Sequence, residues 1–141
     1  MTNSEDTTDV VELVIRYDTG DGYRYLLGRR ISNEFWEFVG GKMKVDEPIE
    51  DAAFRELQEE IRADWNLDDV EIVKKDSSYD SPQNPVYTLY PILLEIPGEV
   101  AESLSDTNLS EHDKLAWVAA DEVSEYETFG AEIAMEDLGL L

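Results

Sequence analysis

The residue order predicts a mixed α/β (α+β) domain built on one sheet, and three features lead there. Apolar, β-branched runs separated by turn chemistry open the chain. One stretch in the middle changes to helical period. Strand-like and helix-like stretches then alternate, with no internal repeat and no linker. A length of 141 residues suits one ordinary domain, since single domains cluster near about 100–150 residues. The chain is 42% hydrophobic, enough to bury a core. The expected partition is a polar, flexible segment over 1–9 and a single domain over 10–141.

Residues 10–16 are rich in Val and Ile and suit a buried strand. Asp18-Thr19-Gly20-Asp21-Gly22 is turn chemistry, and 23–30 reads as the second arm of a hairpin. Residues 36–38 predict a short strand that ends in Gly40 and Gly41. Over 49–63 the period changes, with Phe54, Leu57 and Ile61 at i, i+3 and i+7 on one helical face. Pro48 suits a first helical turn, and Asp46, Glu47, Glu50 and Asp51 lie near the positive end of the helix dipole. Strands are expected over 70–75 and 86–96, the second tolerating Pro91 at an edge or bulge, with a loop over 77–85 between them. Residues 99–111 read as a mobile polar loop, 115–118 as a short strand, 121–125 as a helical turn and 128–138 as a terminal helix.

Charge restricts the partners. Asp plus Glu number 34 against 11 Lys plus Arg, a formal −23 at pH 7. The acids run from Glu5 to Asp137 and do not gather in a tail, so they read as a solvent face coated with carboxylate. That is the look of a protein from the salt-rich cytoplasm of a halophile, where the Debye length falls to about 3 Å and self-repulsion is screened. The same field repels nucleic acid and anionic membranes, so neither is expected as a partner. The absence of cysteine excludes a disulfide scaffold, a cysteine–zinc site and a thiol nucleophile. No apolar run reaches the about 18 residues of a membrane helix. The first nine residues are too acidic for a signal peptide, and a cytoplasmic location is expected.

The chemistry concentrates on the central helix. Glu56 and Glu59 are i, i+3, and Glu56 and Glu60 are i, i+4, so three carboxylates repel one another on adjacent turns with only Arg55 to offset them. A bland reading is that an acidic chain has acidic helices. The sharper one is a divalent cation, because hard oxygen ligands with net negative charge suit Mg²⁺ or Mn²⁺.

Spacing decides between them. Gly41, Glu47, Arg55, Glu56, Leu57, Glu59 and Glu60 fall in an order that resembles the Nudix box, G-x5-E-x7-R-E-U-x-E-E-x-G-U, with U a bulky aliphatic. Arg62 and Ala63 depart from its last two positions. The lead-in Trp36-Glu37-Phe38-Val39-Gly40-Gly41-Lys42 is similar to the family's W-E-F-P-G-G-K, with Val39 replacing proline. The resemblance implies an α/β/α sandwich around a mixed sheet. It also implies metal-dependent hydrolysis of a nucleoside diphosphate linked to another moiety, by water attack on phosphorus. Glu59 and Glu60 match the principal metal ligands, Glu56 a ligand or water-orienting carboxylate, and Gly40 a backbone ligand. Arg55 would hold the glutamates, Glu47 would brace the loop, and Gly41 would be structural. Lys42, Arg29 and Arg30 are candidates for substrate phosphate. Glu111, six residues before Trp117, is a candidate further ligand or base, as a loop carboxylate is in several members. The expected partner is a nucleotide-type small molecule: a nucleoside triphosphate such as an 8-oxo-dGTP-like one, a dinucleoside polyphosphate or ADP-ribose. The alternative is a non-catalytic nucleotide-binding module.

Other signals carry less. Asp18-Thr19-Gly20 copies an aspartic-protease triplet but lies in a hairpin turn with no second copy. Tyr79 stands near where dinucleoside-polyphosphate hydrolases of this family carry an aromatic. His112, the only histidine, reads as a solvated loop residue.

Overall fold

The computed structural model describes residues 6–82, 84, 86–128 and 130–141. Strand β1 (Asp6–Asp18) is the hub of a mixed sheet. It runs antiparallel to β2 (Tyr23–Arg30) and to β4 (Val39–Lys44). Its parallel partner is β7 (Thr88–Glu95), in unbroken register from Asp9↔Thr88 to Arg16↔Glu95. The short β3 (Trp36–Glu37) and β8 (His112–Val118) flank β2, while β5 (Glu71–Lys74) and β6 (Tyr79–Asp80) flank β7.

Alternation along β1 divides the core. Val11, Leu13 and Ile15 pack with Ala52, Ala53 and Leu57 of α1 (Ile49–Glu60) and with Ala101 of α2 (Gly98–Ser103). Val14 packs instead with Leu27, Phe38 and the Ala131, Ala134 and Met135 face of α3 (Ala131–Asp137). Period-2 side-chain direction therefore gives the sheet two apolar faces, each covered by helix. The sandwich expected from the sequence is the observed one.

Several boundaries differ. β1 starts at Asp6, within the segment expected to be flexible, and Asp6 pairs with Lys44; residues 1–5 of that segment lie outside the described residues. The strand expected to end in Gly40 and Gly41 runs through both as β4. A Cβ on Gly40 would overlap the Val11 carbonyl oxygen, so the glycine lets the two strands close up. The central helix stops at Glu60, not at residue 63. Ile61 turns extended, with φ −124° and ψ 104°, and bridges to Leu109. The stretch read as a mobile loop contains α2 and a 3₁₀ turn at Asp106–Asn108, and β8 begins at His112, ahead of the expected 115. Pro91 falls between the β5 and β6 pairings of β7, where neither register reaches it.

Candidate active site

The site begins where β4 hands over to α1. Asp46 takes a left-handed φ of 60°, which Asp tolerates better than most residues. The turn brings the Glu47 amide to the Lys44 carbonyl at 3.1 Å, and Glu47 Oε1 accepts from the Lys44 amide at 2.9 Å. Arg55, one helical face away, then grips the turn with both edges of its fork. Its Nε donates to Glu47 Oε2 and its Nη2 to Glu47 Oε1, each at 2.9 Å, while Nη2 also reaches the Lys42 carbonyl at 3.1 Å. This bidentate grip holds the Glu47 carboxyl down at about 2 and raises Arg55 above its already high range, so the pair is an ion pair at any working pH.

The remaining guanidinium nitrogen faces the helix carboxylates. Arg55 Nη1 donates to Glu56 Oε1 at 2.8 Å and to Glu59 Oε2 at 3.3 Å. Glu56 and Glu60 are 5% and 8% exposed, unusual for carboxylates, whereas the Glu59 side chain is 58% exposed. The buried face of α1 is thus Ala52, Ala53, Glu56, Leu57 and Glu60. Of the expected Phe54–Leu57–Ile61 stripe, Leu57 and Ile61 are fully buried, Ile61 just past the helix end, and the half-buried Phe54 packs against the same core. Gly41 makes room for this. A Cβ there would come within 2.5 Å of the Glu56 carboxyl carbon, so the carboxylate lies directly on the β4 backbone.

Glu60 has no cation among its hydrogen-bond partners; Ser110 Oγ donates to its Oε2 at 3.4 Å. Burial pushes Glu60 up to about 7, and Glu111 and then Glu56 add to the rise. Burial likewise raises Glu56, against the pull of Arg55 and with contributions from Glu59 and Glu111. Glu111 therefore stands close enough to α1 to act on both buried acids. The fold sets Glu56 and Glu60 together on the buried face of α1, with Glu59 and Glu111 both exposed.

A hard divalent cation suits this donor set, which is all carboxylate oxygen, carries excess negative charge and is partly dehydrated. Among the described residues no three of these groups already close into a ligand cage. Glu56, Glu59, Glu60 and Glu111 are the residues that could hold such an ion.

The basic candidates separate. Arg29 is committed to Asp113 through a two-point pair, 2.9 Å at Nε and 2.7 Å at Nη2. Arg30 reaches both Glu37 oxygens at 3.5 Å. The Lys42 ammonium sits 5.4 Å from the Tyr87 ring centroid. His112 corrects its sequence reading: it is 4% exposed, at the start of β8, with Nε2 3.0 Å from Glu37 Oε2. The sequence reading missed one further polar group. Glu12 on β1 accepts from the Tyr79 hydroxyl at 2.5 Å, and burial pushes its carboxyl up to about 7. A lone acid inside the apolar run of residues 10–15 was the available hint. Separately, a shallow cavity of about 470 Å³ beside Arg29, Trp36 and Tyr126 takes no lining residue from α1.

The chain belongs to the Nudix family: the NUDIX domain family model matches residues 7–137. Solved structures share the fold. A Nudix hydrolase from M. smegmatis, RenU, superposes with a TM-score of 0.69 at 18% identity, over 90% of this chain and 80% of that one. A C. elegans Ap4A hydrolase gives 0.67 at 14% identity, over 94% and 96%. The E. coli dihydroneopterin triphosphate pyrophosphohydrolase gives 0.66 at 18%, over 95% and 96%. Among curated proteins, an RNA pyrophosphohydrolase of Pseudomonas putida is 44% identical over 55 residues, 39% of this chain. The match spans about a third of that relative's length (33%). No helix among the described residues is long and apolar enough to cross a membrane.

Proposed function

We propose that this chain is a Nudix diphosphohydrolase that uses Mg²⁺, or Mn²⁺ in its place, to hydrolyse a nucleoside diphosphate linked to another moiety. The observation that carries the reading is the pair of buried carboxylates, Glu56 and Glu60, of which only Glu56 has an arginine partner, beside a turn that Arg55 and Glu47 lock and with the exposed Glu59 and Glu111 near them. An arrangement so costly to bury is retained where a cation offsets it. Glu56, Glu59, Glu60, Glu111 and the Gly40 carbonyl would hold the ion, which when bound supplies charge neutralisation on phosphoryl oxygens and a more acidic water. Arg55 keeps Glu56 and Glu59 in place, and Gly41 gives Glu56 its seat. A carboxylate of this group takes the proton as water attacks phosphorus. Lys42 and Arg30 face substrate phosphate; Arg29, in its fork with Asp113, ties β2 to β8.

The substrate is a small nucleotide of the nucleoside-triphosphate type, with dinucleoside polyphosphates and ADP-ribose as the competing classes. The partial likeness to RNA pyrophosphohydrolases raises an RNA 5′ end as well. A formal −23 leaves a polynucleotide backbone no basic track, and favours the small substrate. The complete carboxylate face favours turnover over a binding-only module. The acid-coated surface suits a salt-rich cytoplasm.

The test is phosphate and pyrophosphate release over a nucleotide panel with Mg²⁺ in molar KCl. Glu59→Gln and Glu60→Gln should each lower turnover by more than the about 10–100-fold typical of residues one step removed from a metal, with unchanged circular dichroism. Full activity in both variants at low Mg²⁺ overturns the reading.

A further inference from the structure

Glu111 sits where electrostatics disfavours it. Ser110, the residue before it, is tied to Glu60 twice, amide to carbonyl at 3.0 Å and hydroxyl to Oε2 at 3.4 Å, so the Glu111 backbone stands beside a buried carboxylate of like charge that pushes it away. Something must hold the backbone of Glu111 against that push, and two anchors bracket it. On the near side, residues 108–110 are stitched to the end of α1. The Arg62 amide donates to the Asn108 carbonyl at 2.7 Å, and the Asn108 side-chain amide returns to the Arg62 carbonyl at 2.6 Å. The Ser110 amide donates to the Glu60 carbonyl at 3.0 Å.

On the far side the next residue is the buried His112. Its Nε2 is 3.0 Å from Glu37 Oε2, and a carboxylate has no hydrogen to give, so the ring nitrogen donates. The ring lies flat on β2. A Cβ on Gly28 would stand 2.9 Å from both Cγ and Cδ2, so only glycine lets the imidazole settle there. Nδ1 is buried with no hydrogen-bond partner among the described residues. The Glu37 contact is thus what orients the ring.

We propose that Glu37 and His112 are a positioning pair that holds Glu111 at the helix carboxylates, so that cation affinity depends on two residues that do not touch the cation. The proposal rests on the reading above that Glu111 faces the ion. His112 closes one end of the peptide segment whose other end is fixed by α1, and the segment between them has little freedom left to relieve the repulsion.

The experiment is a double-mutant cycle on Mn²⁺ affinity, read from the free-ion electron paramagnetic resonance signal of the whole chain in molar KCl. His112→Leu removes the donor and keeps the bulk; it should weaken Mn²⁺ binding about tenfold, the low end of such effects. Glu37→Leu, at a half-exposed position, should do the same and serves if His112→Leu does not fold. His112→Gln restores a donor and should recover most of the affinity. In a Glu111→Gln background His112→Leu should cost nothing further. An unchanged affinity in folded His112→Leu and Glu37→Leu, or losses that multiply with Glu111→Gln, overturns the positioning role alone. Wild-type affinity in Glu111→Gln, with a loss in Glu60→Gln, removes Glu111 from the site and the positioning pair with it.

Discussion

Glu47 and Glu60 bracket the same helix, yet their surroundings drive them in opposite directions. Glu47 receives both edges of the Arg55 fork and a backbone amide, and falls to about 2. Glu60 is buried against other acids with a serine for company, and rises to about 7. The first has its charge answered within the fold and behaves as a structural brace. Among the described residues the second has the Ser110 hydroxyl as its side-chain donor and no salt-bridge partner. Two glutamates of one motif thus divide into one whose charge the fold answers and one whose charge the proposed cation would answer.

The sharpest way to break this contrast is to neutralise each acid with chelator present and follow the melting temperature against pH. A lowered folded pKa stabilises above the unfolded value near 4.5, and that contribution disappears only as pH falls through about 2. Glu47→Gln should therefore melt earlier than wild type throughout pH 5–8. A raised folded pKa works in reverse: its stabilisation is complete below about 4.5 and is lost as pH rises through about 7. Glu60→Gln should melt later than wild type at pH 8 by a few degrees, and the two should converge near pH 5. Millimolar Mg²⁺ should erase or invert the Glu60→Gln advantage and leave the Glu47→Gln deficit. Shifts of the same sign for the two variants at pH 8 would show that Glu60 is as well compensated as Glu47.

A smaller, diffuse effect concerns the surface. Among the described residues nine acids have a cation within salt-bridge distance, out of 34 in the chain, and a formal −23 remains. Stability should rise from dilute buffer to molar KCl as the repulsion is screened, while the Arg55–Glu47 pair, being partly buried, weakens little. A melting temperature flat across that range would contradict the halophilic reading and leave the helix assignments as they are.

What was legible in the residues was what depends on local order. The β1–β2 hairpin follows from a Val- and Ile-rich run, a turn with two glycines, and a second run of Tyr and Leu. The spacing from Gly41 to Glu60 follows from a loop and helix that any fold must close in the same way. What was not legible depends on partners far along the chain. Ile61 has the right period to stay helical, yet it turns extended and bridges to Leu109, nearly fifty residues on. His112 lies among polar residues and is buried by Gly28 and Glu37. The helix α2 hides because in so acidic a chain the polar face of a helix and a solvated loop have the same composition; only Val100, Ala101 and Leu104 hinted at it. Composition says nothing of the burial of Glu56 and Glu60 for the same reason, and spacing alone singled them out: where acids are everywhere, their burial cannot be read from their number.

The pairing of β1 with β7 has a consequence for how the chain comes into being. Every residue that matches the motif precedes Ile61, but the parallel partner of the hub strand ends at Glu95. During synthesis the signature-bearing half is complete while one edge of β1 is still bare. Closing so long a loop costs entropy before any contact repays it. The motif is therefore written early and given its shape late. A chain ending at residue 87 should leave the β1 amides open to hydrogen exchange, and protection there would mean that the hub folds without its late partner.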